Sequence, residues 1–259
     1  MSDILISIDP RGVATVTLNR PEIHNAFNDV VIADLTGIFQ RLGDDHAVRV
    51  IVLRGAGKSF SAGGDLNWMR RMAGYSREEN VADAMGLATM LRTLNECPKP
   101  TLAVIHGHCF AGAVGLVAAC DIAIAADAVQ FALTEVRLGL IPATIGPYVV
   151  AAMGARACRR YFLTAERFGA AEAHRLGLVH EVVGPDDLDA ATERHIANLL
   201  AGGPLALAAA KGLIRAVDGP VTDAMVADTA ARIAEARAGE EGREGLASFF
   251  DKRKPGWVK

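Results

Sequence analysis

Short β-branched runs bounded by turn residues alternate with segments of helical apolar spacing through the first half of the chain. Ile4 to Ile8 and Val13 to Leu18 predict a hairpin, with its turn at Pro10, Arg11 and Gly12. Asn28 to Leu42 predicts a helix capped by Asn28. Val48 to Gly55 reads as a buried strand, and "AGKSFSAGGDL" after it as a loop. Val81 to Leu94 predicts a helix closed by Pro98 and Pro100, and Thr101 to Gly107 a second buried strand. The glycine-interrupted stretch "CFAGAVGLVAACDI", Cys109 to Ile122, follows directly. It holds a short helix over Ala113 to Cys120, ahead of strands at Ile122 to Ala125 and Gln130 to Ala132.

Beyond Pro142 the spacing is helical almost throughout. Helices are predicted at Pro147 to Gly154, Ala155 to Leu163, Ala170 to Leu176, Asp187 to Leu200 and Pro204 to Val217. A long one over Thr222 to Phe250 is broken near Gly239 to Gly245, and only Leu178 to Val183 reads as a strand. The expectation is an α/β core followed by a helical C-terminal part.

Composition narrows the class. The chain has 259 residues, 51% of them hydrophobic, enough for a sizeable core in one domain or one domain plus a small appendage. A net charge of −3 without basic blocks leaves no electrostatic footprint for nucleic acid. The opening "MSDILISIDPRG" has no cationic and apolar leader pattern, and Cys109 to Cys120 is far short of the about 20 residues a membrane span needs. The four cysteines are not in metal-binding spacing and read as buried thiols of a soluble, cytoplasmic protein. His106 and His108 share a strand-like spacing but have no third ligand nearby, so no metal site is expected.

The glycines carry the candidate chemistry. Gly107 and Gly112 have P-loop separation, but Ala113 and Val114 stand where Lys and Ser/Thr are required. Gly112 and Gly115 lack the leading glycine of a dinucleotide fingerprint. Close helix packing, or a strand-to-helix turn whose free N–H groups receive a negative oxygen, both remain open. "SFSAGGDL", Ser59 to Leu66, also follows a buried strand. Two such loops aimed at one point would stabilise the oxygen of a thioester enolate.

"LNRPEIHNAF", "FSAGGDL", "AGAVGLVAACDIAIA", "FALTEVRLGLIP", "AAEAHRLGLVHEVV" and "FFDKRKPGW", in that order, resemble the enoyl-CoA hydratase/isomerase (crotonase) superfamily from about Ile4 to Trp257. The resemblance implies a spiral α/β fold of repeated β-β-α units over residues 1–200, with a helical trimerisation region over 201–259. It places the oxyanion-hole N–H groups on Gly64 and Gly112 and a catalytic carboxylate on Glu135. The family's other glutamate falls on Gly115, which is read as leaving space for an acyl chain. Contacts to CoA or the acyl group would fall on His24 and Ala26 in the first loop and on Ala62, Asp65 and Leu66 in the second. Lys252 would reach a CoA phosphate, in some members that of a neighbouring subunit.

Asp65 reads as a loop-fixing acceptor rather than a reactant. Trp68 and Met69 either cover the acyl chain or pack in the core. Arg70 and Arg71 either meet a substrate carboxylate or form a solvated face. Asp121, at a helix C-terminus, needs a structural partner. The resemblance implies addition of water to a branched enoyl-CoA such as 3-methylglutaconyl-CoA, with CoA part of the substrate and no other cofactor. The alternatives are a Δ3,Δ2-enoyl-CoA isomerase and a non-catalytic acyl-CoA binder. A homo-oligomer, trimer or dimer of trimers, is expected.

Overall fold

The computed structural model describes residues 2–258. The main sheet has six strands: β1 (Ile4–Ile8), β2 (Val13–Leu18), β3 (Val50–Gly55), β4 (Thr101–Ile105), β6 (Ile122–Ala126) and β9 (Glu181–Val183), side by side in that order. β1 and β2 form the hairpin, with Ile4 opposite Leu18, and every later neighbour is parallel. Parallel strands covered on both faces must be apolar throughout. β4 meets this: all five of its residues are buried.

A smaller sheet orders β5 (His108–Phe110), β7 (Gln130–Ala132) and β8 (Phe168–Gly169). Gly107, at φ +65°, breaks the chain between β4 and β5. The expectation that His106 and His108 share one strand face is therefore corrected: His106 precedes the break and bonds Gly57 O (3.0 Å), whereas His108 begins a strand of the other sheet and stacks on Phe110. β8 has only two residues, too few to show a period, and it and the three-residue β5 are the strands the hydrophobic pattern does not reveal.

The helices are α1 (Asp29–Asp44), α2 (Leu66–Met72), α3 (Arg77–Glu96), α4 (Gly112–Ala119) and α5 (Gly146–Thr164), then α6 (Ala170–Arg175), α7 (Leu188–Ala201), α8 (Pro204–Ala216), α9 (Asp223–Ala238) and α10 (Glu240–Phe250). Asn28 caps α1 by accepting from Val31 N–H (3.0 Å), as read. α3 starts four residues earlier than its apolar spacing suggests, because Ser76 and Glu79 form a reciprocal capping box on polar residues. The two helices read around Gly154 are present: α5 is broken where Gly154 leaves helical geometry at φ +77° and ψ 150°. The strand read from Leu178 begins only at Glu181, since Leu178 N–H closes a turn onto Ala173 O. All four cysteines are buried free thiols.

The C-terminal helices are pinned to the sheet by few polar contacts. Asp121, just past the end of α4, has the partner its position demands: it accepts from Lys211 Nζ of α8 (2.6 Å) and from Thr101 N–H (2.7 Å). The Arg49 guanidinium donates to the carbonyls of Gly202 and Trp257, and Trp257 Nε1 donates to Ala201 O. Apart from these contacts α8 and α9 bury no residue completely. Leu205, Ile214, Val221, Phe249 and Phe250 are each at least 70% exposed. Among the described residues no single helix is long and apolar enough to cross a membrane.

Candidate active site

Three parallel segments end side by side. Ser61 pairs with Cys109 of β5, and Cys109 pairs with Phe131 of β7. Three residues beyond Ser61 is Gly64, three beyond Cys109 is Gly112, and four beyond Phe131 is Glu135. Register alone thus delivers all three residues to one carboxyl edge, where ligands of parallel sheets bind.

The two glycine loops touch. Gly63 stands at φ +90°, and a Cβ on it would lie 2.8 Å from Phe110 O and 3.5 Å from Gly112 N, so only glycine allows this approach. Ala111 also takes a positive φ (50°), unusual for a residue with a Cβ. Its N–H still donates to Ala132 O (2.8 Å), but the chain then turns sharply into α4. Among the described residues neither Gly64 N–H nor Gly112 N–H donates to any protein group. Gly112 opens α4, so its free N–H adds the positive end of the helix dipole.

A buried amide laces the first loop to the second. Asn25 Nδ2 donates to Ala56 O and Ser59 O, both at 2.8 Å, while its Oδ1 accepts from Arg20 N–H (2.9 Å). Ser61 Oγ donates to Asn25 O and accepts from Gly63 N–H (3.1 Å). Ala62 N–H donates to His24 O (2.9 Å), and Arg20 donates to Ala26 O (2.8 Å). His24 Nδ1 lies 3.0 Å from Ser59 Oγ, and both His24 and Asn25 are left-handed at φ 55°. His24, Ala26 and Ala62 therefore sit on one braced surface.

Asp65 caps α2, accepting from Asn67 N–H (2.8 Å), and pairs with Arg20 (3.0 Å). Burial alone would raise its pKa, but the Asn67 and Trp68 amides and the Arg20 charge outweigh that and hold it below the ordinary value. Trp68 is buried and donates to Asp83 (2.9 Å). A Cβ on Gly64 would lie 3.7 Å from both Trp68 and Met69 Sδ, so these two side chains wall the Gly64 loop. Arg71 is occupied by Asp29 (2.5 Å) and Arg70 by Asn67 (3.1 Å). Leu66 is 70% exposed. Lys252 stands exposed past α10, and no side-chain contact joins it to these loops.

Glu135 opens a short 3-10 turn, Glu135–Leu138, directly after β7. Its Oε2 is buried with no hydrogen-bond partner. Burial raises its pKa, offset only in part by its own N–H. Leu138 is 61% exposed and contributes little to that burial, contrary to what its apolar character suggests. A buried, unpartnered carboxylate oxygen in a folded chain needs an explanation, and proton transfer to a ligand is one.

Gly115 corrects an expectation. It is buried in α4, and a Cβ there would collide with Cγ2 and Cβ of Ile145, the latter at 2.7 Å. The volume read as acyl-chain space is filled by Ile145, itself 1% exposed at the start of α5. Ile145, Asn25, Ser59 and Ser61 are the supporting residues the sequence pattern does not single out, because their partners are distant in the chain.

The enoyl-CoA hydratase/isomerase family profile matches residues 9–259. The chain belongs to the enoyl-CoA hydratase/isomerase family. Among its relatives, an enoyl-CoA hydratase of Alternaria alternata (ACTT6) is 36% identical, over 92% of this chain and 78% of that protein. The crystal structure of an enoyl-CoA hydratase from Shewanella pealeana superposes with a TM-score of 0.96 at 44% identity, covering 99% of this chain and 96% of the other. Pseudomonas aeruginosa AtuE superposes with a TM-score of 0.95 at 37% identity over the full length of both. The crotonase α/β fold with a helical C-terminal region is the family's own.

Two measurements test this geometry. Gly115→Ala should cost about 1–3 kcal/mol by overpacking. Combined with Ile145→Ala it should cost less than the sum of the two single changes, by about 1 kcal/mol in denaturant midpoints; strict additivity would mean the two positions do not interlock. Glu135→Gln should raise Tm at pH 7. The native state prefers Glu135 protonated, so the wild type loses stability as pH rises through the raised pKa. The difference from the Gln variant should vanish below the ordinary value of 4.5. A variant less stable than wild type at neutral pH would show that Glu135 has a native partner.

Proposed function

We propose that the protein hydrates an enoyl-CoA thioester. The observation that carries this reading is the convergence of two unpaired N–H groups, Gly64 and Gly112, with the buried unpartnered carboxylate of Glu135 at one sheet edge. The N–H pair polarises the thioester carbonyl and stabilises the enolate oxygen. Each such donor lowers the barrier by about 3 kcal/mol. Glu135, its pKa raised by burial, takes a proton from water as the oxygen adds to the β-carbon and returns a proton to the α-carbon. The names of the Alternaria and Shewanella relatives support hydration.

Within this reading the substrate is a branched enoyl-CoA such as 3-methylglutaconyl-CoA, a choice supported by the motifs around Gly64, Gly115 and Glu135. Arg71 and Arg70 already have protein partners, so neither supports that choice as a partner for a substrate carboxylate. One observation favours a second reading. With Ile145 filling the place beside Gly115, and Asp65 held by Arg20 and the Asn67 N–H, Glu135 is the candidate carboxylate left with an unpartnered oxygen, and a Δ3,Δ2-isomerase needs only one.

Incubation with 3-methylglutaconyl-CoA, crotonyl-CoA and a 3-enoyl-CoA, followed by mass analysis, separates them. A gain of water on the branched substrate, lost by at least about a hundredfold in Glu135→Gln, is the expected result. Equal mass with a moved double bond would replace hydration by isomerisation. No conversion would leave a binder. We also infer that copies of this chain cover the exposed apolar residues of α8 to α10. Light scattering should give a trimer or a multiple of one, and a monomer at micromolar concentration would overturn that inference.

A further inference from the structure

Beyond the kink at Gly154, α5 carries Arg156, Arg159 and Arg160, and α6 ends with Arg175. Between the two helices lies a cavity of about 580 Å³. Its floor is Met153 and Tyr161, both buried, and its walls include Ala157 and Leu176. It shares no residue with the active site.

The charges around it are unequal. Glu172 is held by Arg175 through two bonds of 2.7 Å and by Tyr161 OH (2.9 Å), contacts that push its pKa down to about 2. Arg160 is held by Glu166 (2.6 Å) and lies over the Tyr161 ring. Arg156 and Arg159 have no carboxylate within 4.0 Å among the described residues. The rim therefore keeps two guanidinium charges unbalanced, beside two others already neutralised. Such crowding repels itself until an anion arrives. Planar guanidinium groups match phosphate oxygens in a bidentate fork. The volume lies in the range of about 300–1,000 Å³ typical of small-molecule sites, well beyond one phosphate ion.

We propose that this cavity binds a phosphorylated small molecule of nucleoside-diphosphate size. Its phosphates rest on Arg156 and Arg159, and its apolar or ring portion on Met153, Ala157 and Leu176. The diphosphate can come from a free nucleotide or from a second CoA molecule, which carries the same group.

Isothermal titration with pyrophosphate, ADP and CoA tests the proposal. Wild-type protein should bind ADP saturably, one per chain. Arg156→Ala with Arg159→Ala should weaken ADP and pyrophosphate at least tenfold while leaving ligand-free Tm and enoyl-CoA turnover unchanged. Arg159→Gln alone, which keeps the helix surface polar, should give a smaller loss and serves if the double variant folds poorly. CoA binding at two sites, one of them lost in the double variant, would identify CoA as the source; ADP loss alone would identify a free nucleotide. Absent ADP binding, or ADP binding that the arginine changes do not touch, would overturn the proposal. So would dissociation of an oligomer in the double variant with ADP affinity intact, which would make this face an interface between copies.

Discussion

The backbone hydrogen bonds that align Ser61 with Cys109, and Cys109 with Phe131, are the constraint on which the site depends. Each is an ordinary ladder contact, but together they fix where three chains leave the sheet. A slip of one residue in any of them would turn its side chains to the opposite face and move Gly64, Gly112 or Glu135 off the shared edge. Because β5 and β7 are only three residues long, the ladder needs help. Asn25 supplies it by tying the first loop to the carbonyls of Ala56 and Ser59 from a position 1% exposed. Replacing that amide would strand the buried carbonyl of Ser59 and the half-buried one of Ala56 as well as loosen a loop.

Once register is fixed, the chemistry follows from what the segments leave unsatisfied. Two N–H groups point into no protein acceptor, and one carboxylate oxygen is buried without a donor. In water these groups would be solvated at little cost. In the fold they are held ready, so an oxyanion and a transferring proton meet them with little reorganisation. The Gly115–Ile145 interlock then restricts the chemistry. Where a second carboxylate would stand, hydrocarbon packs against hydrocarbon, so the proposed mechanism assigns to Glu135 alone the proton traffic that two groups would otherwise divide.

Much of this was legible in the sequence, for reasons that can be separated. β3 and β4 announce themselves because buried parallel strands are continuously apolar, and the α1 cap because Asn precedes a helical period. Gly64, Gly112 and Glu135 were legible through motif order, and Asp121 through the sign of its charge at a helix end. What escaped depends on partners far away in the chain. Ile145 looks like any core isoleucine until its methyl group is found against Gly115. The capping box at Ser76 lies among polar residues outside the apolar period, and β8 is too short to have one. Gly107 was readable as a glycine but not as the break that assigns His106 and His108 to different sheets.

The same separation explains where the fold tolerates strain. His24, Asn25 and Ala111 hold left-handed or otherwise positive φ values that cost on the order of 1–3 kcal/mol each for residues with a Cβ, and all three border the candidate site. Glu135 adds a buried, unpartnered carboxyl oxygen. Such costs persist only where surrounding structure leaves no cheaper alternative, and here the parallel sheet does so. Ala111 cannot relax without giving up its bond to Ala132 O, and Asn25 cannot without exposing the carbonyls it covers. The strain at Ala111 thus sits at the turn that leads into α4, directly before the free Gly112 N–H, and the buried core around β3 and β4 is what offsets it.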